Sequence, residues 1–90
     1  MELKFKNNPD NDKMEYSKIW LGYGYSIHVC RHPNCYQVIP ICDNCIVGEV
    51  KTEYSEEGVN ASIESIRQDL NKLMRVSLSK RGIFLKETLL

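Results

Sequence analysis

From Lys18 to Cys30 every odd position up to Val29 is apolar: Ile19, Leu21, Tyr23, Tyr25, Ile27 and Val29. A repeat of two is that of a strand with one buried face. Gly22 and Gly24 interrupt the other face, so the stretch either carries a bulge or folds back as a hairpin. If the strand resumes after the glycines, His28 and Cys30 share the face opposite the apolar row. Trp20 lies on that polar face too. It is either an interface anchor, because Trp buries a large area with few rotors, or core if the strand is covered on both sides.

Shorter patterns flank this segment. Glu2 to Lys6 alternates charge with Leu3 and Phe5 and predicts a short strand. The run NNPDNDK, residues 7–13, has turn formers and almost nothing to bury, and predicts a mobile loop. Tyr36 to Ile41 is β-prone, but Pro40 lacks a backbone donor and confines it to an edge or an irregular turn. Between Ile46 and Tyr54, Val50, Thr52 and Tyr54 alternate with Glu49, Lys51 and Glu53, which predicts a strand with the charged set in water. The following SEEG ends the sheet.

The period then changes. Ile63, Ile66, Leu70, Leu73 and Met74 recur at three and four residue intervals and predict a helix over residues 61–80. Asn60 is placed to cap it, Lys80 and Arg81 suit the negative end of its dipole, and Gly82 suits the left-handed position beyond. The stripe is too short for a coiled coil and predicts packing against the sheet. The apolar tail, residues 83–90, is assigned to no single conformation. These elements give an α+β fold: one domain over residues 1–90, with a small antiparallel sheet of about four strands and one C-terminal amphipathic helix packed on it.

Composition narrows the class. Apolar residues make up 42% and charged residues 27%, as in globular chains, and no run is long enough for a membrane span. The N-terminal residues lack the apolar stretch of a signal peptide, which predicts a cytoplasmic protein whose thiols stay reduced. Formal net charge is zero, yet residues 31–60 carry two bases against five acids and residues 61–90 carry six against three. Neutrality argues against indiscriminate polyanion binding, while the basic end leaves a local nucleic-acid contact open.

Every cysteine and histidine of the chain lies between His28 and Cys45. The spacing Cys30-x4-Cys35-x6-Cys42-x2-Cys45 contains two close pairs, each joined by turn-forming residues. In a reducing compartment this predicts a structural zinc ion held by four thiolates, with His28 or His32 as the alternative ligand, in a metal-binding segment over residues 28–45. The spacing departs from familiar iron–sulfur patterns. Cys42-x2-Cys45 leads into a strand rather than a helix, against a thioredoxin-type pair. A nucleobase deaminase would need a His-x-Glu and a proline directly before the CxxC, and neither is present.

Four thiolates leave a metal no open position, and no histidine stands outside the cluster to act as a base, so the sequence predicts no enzyme. The leading expectation is a small zinc-binding adaptor or regulator that binds another protein, with Trp20 as an anchor. The alternative is a zinc-finger-like transcriptional regulator that binds nucleic acid through Arg31 beside the metal and Arg67, Lys72, Arg75, Lys80 and Arg81 on the helix.

Overall fold

A computed structural model describes residues 3–8 and 11–80. Six strands and one helix follow in chain order: β1 (Lys6–Asn8), β2 (Asn11–Gly22), β3 (Tyr25–Arg31), β4 (Tyr36–Cys42), β5 (Cys45–Ile46), β6 (Lys51–Glu53) and α1 (Glu56–Lys80). The first five lie in the order β1-β2-β3-β4-β5, each antiparallel to the next, and β6 pairs with β4 beside β5. The architecture is therefore α+β, an antiparallel meander with a C-terminal helix. None of its described helices is long and apolar enough to cross a membrane.

The interrupted strand resolves as a hairpin. Gly22, Tyr23 and Gly24 all take positive φ, so the chain reverses where the glycines permit it, and Ile19 pairs with Ile27. Pro40 pairs with Ile27 on one side of β4. On the other side β5 and β6 leave it between them, and its carbonyl accepts the Val47 N–H at 3.0 Å. The missing donor falls where the second neighbour is discontinuous, which is how a regular strand paired on both sides accommodates Pro40 in place of the expected edge or irregular turn.

One face of the sheet is covered by α1. Ile27, Val29 and Val38 are fully buried against Val59, Ile63, Ile66, Leu70, Met74 and Leu78. Leu73, expected in the buried stripe, is 46% exposed, and Leu78 extends the stripe instead. The helix begins a turn earlier than its apolar pattern. Ser55 Oγ accepts the Gly58 N–H at 3.0 Å, so Ser55, not Asn60, is the cap, and Glu56 and Glu57 occupy the first turn where the dipole favours them.

Two other expectations are corrected. Asn7, Asn8 and residues 11–13 belong to β1 and β2, so the expected loop over residues 7–13 is largely strand. In β6 the faces are reversed: Lys51 and Glu53 are half-buried while Tyr54 is 79% exposed. The cause is a tertiary contact. Ser62 Oγ donates to Glu53 Oε1 at 2.7 Å, and a Cβ at Gly58 would stand 2.5 Å from Glu53 Oε2, so this carboxylate needs the space a glycine leaves at the helix start. Arg81, Gly82 and the tail over residues 83–90 lie outside the described residues.

Candidate functional site

Alternation along β2 projects Tyr16, Lys18 and Trp20 from the face away from α1. Their partners in β3 are Cys30, His28 and Ser26, and these in turn pair with Gln37, Ile39 and Ile41 of β4. Lys6 of β1 pairs with Tyr16 and joins the same face. No described helix or strand covers it. Trp20 is 71% exposed and Ile46 59% exposed, so these two large apolar groups meet water, whereas Ser26 and Ile41 of the same face are buried. Lys18 Nζ lies 5.7 Å from the Trp20 ring centroid and 6.0 Å from that of Tyr16, within range of cation–π attraction.

A groove of about 550 Å³ runs beside these residues, lined by Leu3, Lys4, Lys6 and the β2 residues from Tyr16 to Trp20. Three of its residues are lysines and none carries a carboxylate. Its position follows from the strand lengths. β1 pairs with β2 only as far as Tyr16, so from Ser17 to Trp20 the side of β2 away from β3 has no strand partner among the described residues. An open strand edge offers backbone donors and acceptors in a row. Electrostatics agree within this face: burial, and then the neighbouring Lys18, hold the His28 imidazole below its ordinary pKa.

The cysteines occupy two separate places. Cys30 and Cys35 flank the β3–β4 turn, where His32 N–H donates to the Cys35 carbonyl at 2.8 Å and His32 Nε2 lies 3.0 Å from Gln37 Oε1. Cys42 and Cys45 are paired residues across the β4–β5 turn. The seven residues of β4 separate the two turns by about 20 Å at the usual strand rise. Faces differ as well: Cys30 lies on the open side with His28, whereas Cys42 packs against the core under α1. None of the four cysteines is in a disulfide, Cys42 Sγ lies 3.8 Å from Asp43 Oδ2, and among the described residues no three His, Cys, Asp or Glu side chains cluster around one ion position. This fold does not bring the four sulfurs to one point. Burial raises the Cys30 thiol pKa, which favours the protonated form.

The cations expected to contact nucleic acid also lie apart, Arg31 at the end of β3 and Arg67, Lys72, Arg75 and Lys80 on α1. Arg31 donates twice to Glu15 Oε1, at 2.8 and 3.2 Å, and stacks 4.2 Å from the Phe5 ring centroid on the helix side of the sheet. Arg67 is half-buried and 3.4 Å from Glu64. Lys72, Arg75 and Lys80 are exposed, but at 3.6 residues per turn they fan over about 140° of the helix rather than lie along one line. The lysines of the open face were not singled out by sequence reasoning. Their signal was the even-numbered set of β2, in which aromatic and basic residues alternate. No protein-family model, curated protein or solved structure matches this chain.

Proposed function

We propose that the protein is a non-enzymatic binding module that takes an extended, acidic segment of a partner protein along the open edge of β2. One observation carries this reading: the stretch from Ser17 to Trp20, which has no strand partner on its outer side among the described residues, borders a groove lined by Lys4, Lys6 and Lys18 without a carboxylate. An added strand would gain its affinity from main-chain hydrogen bonds and its selectivity from side chains of alternate residues. Trp20 and Tyr16 are rigid anchors for apolar residues of that segment, and the lysines steer its acids.

The chain has a single tryptophan, so its fluorescence reports the face directly. Titration with acidic extended peptides should blue-shift Trp20 emission and slow hydrogen exchange of the Ser17–Trp20 amides. Trp20→Ala should weaken binding by about 30-fold, roughly 2 kcal/mol. Lys72→Glu on the helix should leave it unchanged. Peptide binding without amide protection at the β2 edge would remove the strand-addition reading.

Lys18 between two aromatic rings supports a second reading, single-stranded nucleic acid stacked on Tyr16 and Trp20. Binding of an oligonucleotide that falls steeply with salt, with no response to acidic peptides, would select it.

A further inference from the structure

We infer that the segment taken up at the β2 edge is an amphipathic strand, in which acidic residues fall only on alternate positions and aliphatic residues fill the positions between, so that alternation and not acidity alone selects the partner. The inference rests on the reading of the β2 edge as a site of strand addition.

The groove has two unlike sides, because consecutive residues of one strand line it. Ser17 and Ile19 pair with Val29 and Ile27, which are buried under α1, and Ile19 and Leu3 pack against the same core cluster. Lys18 and Trp20 project the other way, beside His28 and Ser26, and both are exposed, as are Lys4 and Lys6. One side is therefore apolar around a buried serine, and the other carries cations and an indole. Among the described elements α1 lies over β3, β4 and β6 rather than β2, so it does not fill the ground beside Ile19 and Leu3.

A guest strand must answer both sides at once. Its successive side chains point to opposite sides, and residues directly opposite one another stand about 5 Å apart at Cβ. The residue opposite Lys18 meets water and a cation held between two rings, which suits a carboxylate. Those opposite Ser17 and Ile19 meet the apolar side, which suits aliphatic groups, and an apolar side chain opposite Trp20 covers part of the exposed ring. An acid moved by one position would leave water beside Leu3 and Ile19, away from Lys18, and would lose hydration without gaining a partner. A slip of one residue exchanges the two rows throughout, so the penalty falls on the whole segment. Every described pair of neighbouring strands is antiparallel, and the guest continues that ladder. Running against β2, its residues read apolar, aliphatic, acidic and aliphatic from Trp20 back to Ser17.

The test compares two peptides of one composition with the full chain, each capped and flanked by Gly-Ser. Phe-Val-Glu-Val-Glu-Val keeps its acids in one row, whereas Phe-Val-Val-Val-Glu-Glu puts an acid in each row in either direction and any register. Affinity is read from Trp20 emission, and location from hydrogen exchange of the Ser17–Trp20 amides. The alternating peptide should bind at least about 10-fold more tightly than the blocked one and should protect those amides. Lys18→Glu, an exposed change whose folding is checked by circular dichroism, should weaken the alternating acidic peptide by about 10-fold and favour Phe-Val-Lys-Val-Lys-Val in its place. Equal affinity of the two acidic peptides, with the Ser17–Trp20 amides protected, would overturn the inference and leave strand addition standing. Unchanged affinity in Lys18→Glu would overturn it as well, because the acidic row would then not lie over Lys18. Absence of amide protection with either peptide would remove strand addition itself, and the inference with it.

Discussion

The two faces of the sheet are made by the same strands, residue by alternate residue, and differ in what they meet. On the α1 side, Tyr25, Ile27, Val29 and Val38 join one apolar cluster with the helix. On the other side, Tyr16, Lys18, Trp20 and His28 alternate ring, cation and polar group in contact with water. Burial explains every residue of the first face. It explains few of the second, since an exposed Trp stabilises nothing by standing in solvent, and that composition is where a binding role finds support. The largest way to break the contrast is paired truncation. Ile27→Ala should cost about 2–5 kcal/mol through lost burial and a cavity. Trp20→Ala should stay within about 0.5 kcal/mol. Urea melts followed by circular dichroism would measure both, and equal losses would mean that the open face is covered after all.

A smaller effect tests how the covered face keeps its lid. α1 starts at a point fixed by Ser55, whose hydroxyl oxygen accepts a first-turn amide, and by Glu53, which accepts the Ser62 hydroxyl. Ser55→Ala should cost about 1 kcal/mol. Asn60→Ala, at an exposed position inside the helix, should cost nothing measurable or add slight stability, because alanine is the better helix former. A larger loss at Asn60 than at Ser55 in the same melts would return the cap to the later residue.

These elements also mark what the chain reveals before it folds. The odd-numbered row of Ile19 to Val29 and the stripe from Ile63 to Met74 were legible, because periods of two and 3.6 are local properties of a strand and a helix. The reversed faces of β6 were not, since Glu53 turns inward to meet Ser62, a contact that periodicity does not carry. Glycine at position 58 read as a break in the sequence, whereas the fold uses it to admit a carboxylate beside the helix start. The cysteines show the same limit. Each close pair does flank a turn, as its spacing implied. The residues between the pairs, however, form the rod of β4 rather than a flexible connection, and a strand fixes both the distance and the face of what it joins. On the open face, the β2 edge depends on where β1 stops pairing, which no pattern within β2 encodes.

The smallest effect reads the open face without changing its shape. His28 is held below its ordinary pKa chiefly by burial and secondly by Lys18, its partner across β2 and β3. The unfolded histidine takes up its proton near the ordinary value of about 6.5, above the folded one. The stability associated with neutral His28 is therefore intact above that value and declines as pH falls through it toward the folded pKa. His28→Gln should flatten this part of the stability–pH profile. Lys18→Met should move the His28 pKa upward, read by NMR titration of the ring, yet leave it below the unfolded value because burial is the larger cause. A bound acidic peptide should move it upward as well, since a carboxylate near the imidazole favours its charged form. By linkage, such a peptide binds more tightly as pH falls through the His28 range, and a bound segment that leaves the imidazole unmoved would place its acids away from the centre of the face, toward Lys4 and Lys6 at the groove's edge.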